Sequence, residues 1–160
     1  MTSHSGRIHS LQLSSGGVPK RAVPAATIER GGLVGDVQRN LRVHGGPERA
    51  VCLFSLERLD ALAREGHPIA PGSAGENVTV VGLPWDEVVP GARLKLGATV
   101  LLEVASYTSP CAQLSASFLG GRFERVSQES HPGWSRVYAR VLCGGNVAPG
   151  DLATLEPKPV

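Results

Sequence analysis

The sequence predicts a mainly β protein: a closed or nearly closed, mostly antiparallel β-barrel with a few short helices. Two observations carry that expectation. Short apolar runs rich in β-branched residues recur at close spacing with Gly- and Pro-rich breaks between them. A single stretch, after Ser55, has strong helical periodicity. A barrel suits many short strands because closure leaves no edge unpaired. At 160 residues and 41% hydrophobic the chain is sized for one domain, with its core over about residues 7–156 and tails at 1–6 and 157–160.

Arg7 to Leu13 reads as the first strand, with Leu11 and Leu13 inward, stopped at Ser14-Ser15-Gly16-Gly17. Val18-Pro19-Lys20 resumes an extended path into a short strand over Ala25 to Glu29, and Gly31-Gly32-Leu33-Val34-Gly35-Asp36 makes a tight turn. Val37 to Arg49 lacks apolar periodicity, the mark of a functional loop or of disorder inside a small domain. Ala50 to Phe54 is an apolar run too short for a helix, hence a buried strand that places Cys52 in the core. Ser55 caps the following helix, whose Leu56, Leu59 and Ala63 share a face and which stops at Gly66. Strands follow at Val78 to Val81, Arg93 to Leu96 and Thr99 to Val104. Gln113 to Leu119 repeats Leu114 and Phe118 at helical spacing and breaks at Gly120-Gly121. Trp134 to Leu142 alternates, with Val137, Ala139 and Val141 on one face and Arg136, Tyr138 and Arg140 on the other. Gly144-Gly145-Asn146 turns the chain, and Leu152 to Leu155 closes the domain.

Composition excludes several function classes. A formal net charge of +2 with scattered basic residues argues against nucleic acid and against a polybasic membrane patch. Three cysteines, an odd number without C-x-x-C spacing, argue against a disulfide framework and for a reducing compartment. The first residues lack the apolar core of a signal peptide and no long apolar stretch exists, so a cytoplasmic, non-membrane protein is expected.

The chemistry gathers at Tyr107-Thr108-Ser109-Pro110-Cys111-Ala112-Gln113-Leu114, a polar turn between strand and helix. With Ser109 as N-cap and Pro110 at the first helical position, Cys111 falls in the first turn, where unpaired N–H groups favour a thiolate. A core cysteine sharing a face with Leu114 and Phe118 is the alternative. Other polar groups sit in loops or at strand ends, each with a plainer reading. Asp36 either caps its turn or serves a ligand. His44 precedes Gly45-Gly46, whose bare N–H groups can approach an anion, or it is solvated. Glu76 and Asn77 start a strand, and Arg136 with Arg140 is a ligand-facing or a solvated face. Zinc finds no support, since the only closely spaced histidines, His4 and His9, lie at the chain's start.

Taken in order, Gly35-Asp36, His44-Gly45-Gly46 before Glu48-Arg49-Ala50-Val51, Gly75-Glu76-Asn77-Val78-Thr79-Val80, Pro90-Gly91, Pro110-Cys111, Trp134 to Val141 and Gly150-Asp151 resemble the MOSC domain. That module is named for the C-terminal part of molybdenum cofactor sulfurases. The resemblance implies a β-barrel and a molybdenum cofactor (molybdopterin) whose metal is ligated by Cys111, as in the related amidoxime-reducing enzymes. It implies reduction of N-hydroxylated compounds, with Cys111 as catalytic residue and metal ligand, and with Lys20, Asp36, His44, Gly45, Glu76, Asn77 and Arg136 around the cofactor. Many stand-alone members carry arginine two residues before the cysteine; this chain has Ser109. Pyridoxal phosphate is not expected, because that label belongs to a separate desulfurase domain. The partners implied are a small-molecule substrate and a separate electron-donor protein, since no flavin, haem or iron–sulfur motif is present. The alternative is a sulfur carrier holding a persulfide on Cys111.

Overall fold

The computed structural model describes residues 2–14, 18–36 and 46–159. Along the described residues run β1 (His4–Leu13), β2 (Arg21–Val23), β3 (Ala26–Glu29), β4 (Gly32–Leu33), β5 (Val51–Ser55), α1 (Leu56–Arg64), β6 (Val78–Val81), β7 (Arg93–Leu96), β8 (Val100–Tyr107), β9 (Val137–Cys143), β10 (Gly145–Val147) and β11 (Leu152–Glu156), with short 3-10 turns between. Seven of these strands close a barrel in the order β11-β7-β8-β9-β5-β6-β1, and β1 returns to pair with β11. The predicted barrel is therefore the observed fold. All its pairs are antiparallel except β5 with β6. Parallel neighbours need a long crossover, and α1 is part of it. The small sheet β10-β3-β4 stands apart, so the turn expected at 144–146 is instead the start of a strand.

The helix begins where Ser55 Oγ accepts from the Arg58 amide at 3.2 Å. It buries Leu59 and Leu62, while Ala63 is exposed. The expected face is thus turned by one residue, because a leucine gains more from burial than an alanine. Strand β1 starts at His4, within the expected tail: His4, Ser5 and Gly6 pair with Leu155, Thr154 and Ala153. A register shift between Ile8 and Ser10 changes its phase, so that Ile8 and Leu11 fill the core and Leu13 lies only at its border.

The segment after Cys111 departs from the expected α-helix. It forms 3-10 turns over Ala112–Ser117, Leu119–Gly121 and Phe123–Val126, although Leu114 and Phe118 are buried as their spacing predicts. Cys111 is itself the residue before the first turn, in extended conformation (φ −139°, ψ 176°), and no side chain caps that turn. A short stretch ending in Gly120-Gly121 cannot repay helix nucleation, and packing of Leu114 and Phe118 decides its path. The expected Ser109 cap and helical first turn at Cys111 are corrected accordingly.

Candidate cofactor-binding site

Backbone pairing assembles the site. The Gln12 amide donates to Asn77 O at 2.8 Å and the Asn77 amide to Cys52 O at 2.7 Å. Cys52 stands opposite Tyr138 on β9, and Tyr138 opposite Ser106 on β8. Leu11, Val78, Leu53 and Val137, the next row, fill the core. Strand alternation therefore turns Asn77, Cys52 and Tyr138, with Arg136 two residues from it, to the opposite face.

That face is covered, not solvated. Asp36 reaches it from the turn after β4: its Oδ1 accepts from the Ser14 amide at 2.9 Å, and its Oδ2 from Lys20 Nζ at 2.8 Å and Asn77 Nδ2 at 2.9 Å. Asn77 Oδ1 accepts from the Cys52 amide at 3.0 Å. One asparagine thus ties three segments together, and four of the residues predicted to surround a cofactor lie in or near this knot: Lys20, Asp36, Asn77 and Glu76.

Glu76 and Asn77 are fully buried. Glu76 Oε2 accepts from Thr79 Oγ1 at 3.1 Å, and that hydroxyl accepts in turn from Gln12 Nε2 at 3.1 Å. Glu76 Oε1 and Gln12 Oε1 have no partner. Burial, with no cation bonded to the carboxylate, pushes the Glu76 pKa up to about 7. Burial likewise pushes the Cys52 thiol up to about 11, against the weaker pull of Arg136 and Lys20. Cys52 is a core residue, as its apolar run predicts.

Arg136 is 5% exposed. One terminal nitrogen donates to Ala74 O at 2.8 Å, while Nε has no partner. The Thr108 amide donates to Arg136 O at 3.1 Å, and the buried Thr108 hydroxyl is also without a partner. Cys111 follows three residues later, half-buried, with its thiol free. Burial raises the Tyr138 phenol pKa, and the charges bearing on it more weakly include Cys52, Arg136, Arg49 and Cys111. Arg49 lies over that ring, 5.9 Å from its centroid. A cleft of about 410 Å³ lies further along β9, lined by Arg30, Glu48, Arg140 and Leu142 among others.

His44 and Gly45 lie outside the described residues. Among the described residues no three His, Cys, Asp or Glu side chains converge on a metal position, and no helix is long and apolar enough to cross a membrane. Sequence reasoning missed Gln12, Thr108 and Tyr138. Tyr138 had a signal: it shares its strand face with Arg136, and a face read as solvated can equally be covered by loops.

The barrel thus carries a half-buried free thiol at Cys111, a buried guanidinium at Arg136 with an unpartnered Nε, and a buried polar knot around Asn77. The MOSC domain profile matches residues 40–154, and the chain belongs to that family. Over 145 residues it is 36% identical to the uncharacterized protein YflK of Bacillus subtilis, covering 88% of this chain and 62% of YflK. A protein of Gibberella moniliformis named reductase is 33% identical over 121 residues, 72% of this chain and 21% of that protein. Protein YiiM of Escherichia coli is 37% identical over 92 residues, 54% of this chain and 40% of YiiM. The chain spans less than two thirds of each relative's length. Among solved structures, YuaD of Bacillus subtilis superposes with a TM-score of 0.76 at 18% identity, covering 99% of both chains. YiiM of Geobacillus stearothermophilus gives 0.71 at 24% identity, covering 94% of this chain and 74% of that one. These likenesses establish a shared fold.

Proposed function

We propose that this chain holds a molybdenum–pterin cofactor through Cys111 and reduces N-hydroxylated compounds, releasing the N–O oxygen as water. The observation that carries the reading is Arg136: a buried guanidinium with an unpartnered Nε, on a residue whose carbonyl accepts from the amide of Thr108, itself buried with an unpartnered hydroxyl, is completed by an anionic acceptor. A pterin phosphate is such an acceptor. The donor set fits as well. No cluster of three ligating side chains exists among the described residues, so a metal would arrive with most of its ligands and take one more, and the Cys111 sulfur is a soft donor of that kind.

When bound, the cofactor would supply two-electron redox chemistry. The chain's own residues do the rest. Arg136 and Thr108 would orient the anionic end, while Asp36, Lys20 and Asn77 keep the floor rigid through bonds already made. Tyr138 stays a neutral O–H because burial raises its pKa. Reduction of R–NH–OH consumes two electrons and two protons to give R–NH2 and water; a separate donor protein supplies the electrons and solvent the protons. The relative named reductase supports an enzymatic role.

The test is metal analysis and turnover of cofactor-loaded protein with an artificial electron donor. Wild type is expected to hold molybdenum and reduce an N-hydroxylated base, and Cys111→Ser to lose turnover without a change in melting temperature. Equal turnover by both would remove Cys111 from the mechanism. A persulfide on the Cys111 peptide in metal-free protein, seen by mass spectrometry, would favour sulfur transfer instead.

A further inference from the structure

The chain that leaves Cys111 is held down by residues with no part in the site above. The Leu119 amide, at the start of the second 3-10 turn, donates to His67 Nδ1 at 3.1 Å. His67 follows α1, and its side chain is only 9% exposed. The Phe118 ring meets it edge-on, with centroids 5.2 Å apart. On its other side Nε2 lies 3.4 Å from Glu65 Oε1. Glu65 also accepts from Arg125 Nε at 3.0 Å and a terminal nitrogen at 2.8 Å, and Arg125 stacks on Trp134 at 4.1 Å. The charged groups facing His67 are therefore Glu65 from the end of α1 and, beyond it, Arg125 from the turn Phe123–Val126. The turn Leu119–Gly121 brings an amide and no charge.

This geometry fixes the tautomer. A ring nitrogen that accepts from an amide carries no proton, so the imidazole N–H is on Nε2, facing Glu65. A second proton can go only on Nδ1. There it would point at the Leu119 N–H, turning an acceptor into a donor and leaving two donors opposed.

We propose that His67 is a positioning residue for Cys111: the neutral ring latches the segment that follows the cysteine, and the protonated ring releases it, so that acid opens access to the Cys111 sulfur. The latch acts on that sulfur whatever ligand it takes.

The test uses the 160-residue chain without added ligand. Nitrogen chemical shifts of His67 are expected to report an unprotonated Nδ1 and a protonated Nε2 near neutral pH. Exchange of the Leu119 amide, corrected for its intrinsic pH dependence, should lose about tenfold or more of its protection between about pH 8 and about pH 5. His67→Asn places a non-titrating carbonyl oxygen near the Nδ1 position and should keep protection at both pH values; His67→Ala should lose it at both. The alkylation rate of Cys111, read by peptide mass spectrometry as the ratio of wild type to His67→Asn so that the thiolate fraction cancels, should be near one at the higher pH and rise in acid. The opposite tautomer, pH-independent protection in wild type, or the wild-type pH response persisting in His67→Asn would each overturn the latch. If His67→Ala does not fold, wild type and His67→Asn still decide. Metal content is not read, so failure here leaves the cofactor proposal standing, and the reverse.

Discussion

At Asp36 three donors meet on one carboxylate, and two of the side chains involved are nearly sealed from water: Lys20 is 8% exposed and Asp36 5%. Such a pair matters less for its attraction than for what remains when one partner goes. Asp36→Asn keeps the shape and can still accept from the Ser14 amide, but it leaves a buried ammonium without its counter-charge. The expected loss is about 3 to 5 kcal/mol in chemical denaturation. A loss below about 1 kcal/mol would mean that Lys20 finds water or another acceptor, and that the knot is looser than its distances imply. Sequence reasoning left Asp36 between turn cap and ligand residue. The structure has it bracing the floor through Asn77, forty-one positions away, a contact no local pattern encodes.

Among the elements, the loop ahead of β6 carries a constraint of its own. Gly72 has φ +89°, and a Cβ there would stand 2.3 Å from Lys20 O. The same glycine accepts from the Lys20 amide at 2.9 Å, so this close approach sets where Lys20 starts toward Asp36. Gly72→Ala is expected to cost more than about 2 kcal/mol, because backbone strain adds to a clash with backbone that cannot rotate away. Gly150 supplies the control: its φ is +92°, yet a Cβ there meets nothing within 4 Å. Gly150→Ala should cost about 1 kcal/mol, the conformational part alone. Equal melting temperatures for the two variants would show that the Gly72 approach relaxes freely.

At the scale of the whole molecule, Glu76 links stability to pH. Its folded pKa is raised from 4.5 to about 7 by burial. Between those values the unfolded chain has released the proton while the folded one retains it, so the folded state binds more protons there and stability falls as pH rises. The contribution is complete below about pH 4.5 and gone above about pH 7. Wild type should therefore lose on the order of 3 kcal/mol across that window from this group, and Glu76→Gln should flatten the profile. A wild-type profile rising steadily from pH 4.5 to pH 7, with Glu76→Gln parallel to it, would show that Glu76 ionises readily in the folded protein.

Alternation and breaks along the chain determined the barrel's parts. Val78 to Val81 and Arg93 to Leu96 fold where their patterns place them, since a strand's two faces and a Pro-Gly corner are local properties. Sequence likewise placed the Cys52 thiol in the core. Only the tertiary structure decided the rest: the parallel β5–β6 pair, the seam between His4 and Leu155, the 3-10 path after Cys111, and the covering of Tyr138 on β9 and of Arg136 just before it. Each depends on which distant segment packs against the residue, because burial changes the free energy of the same side chain by more than its local preference does.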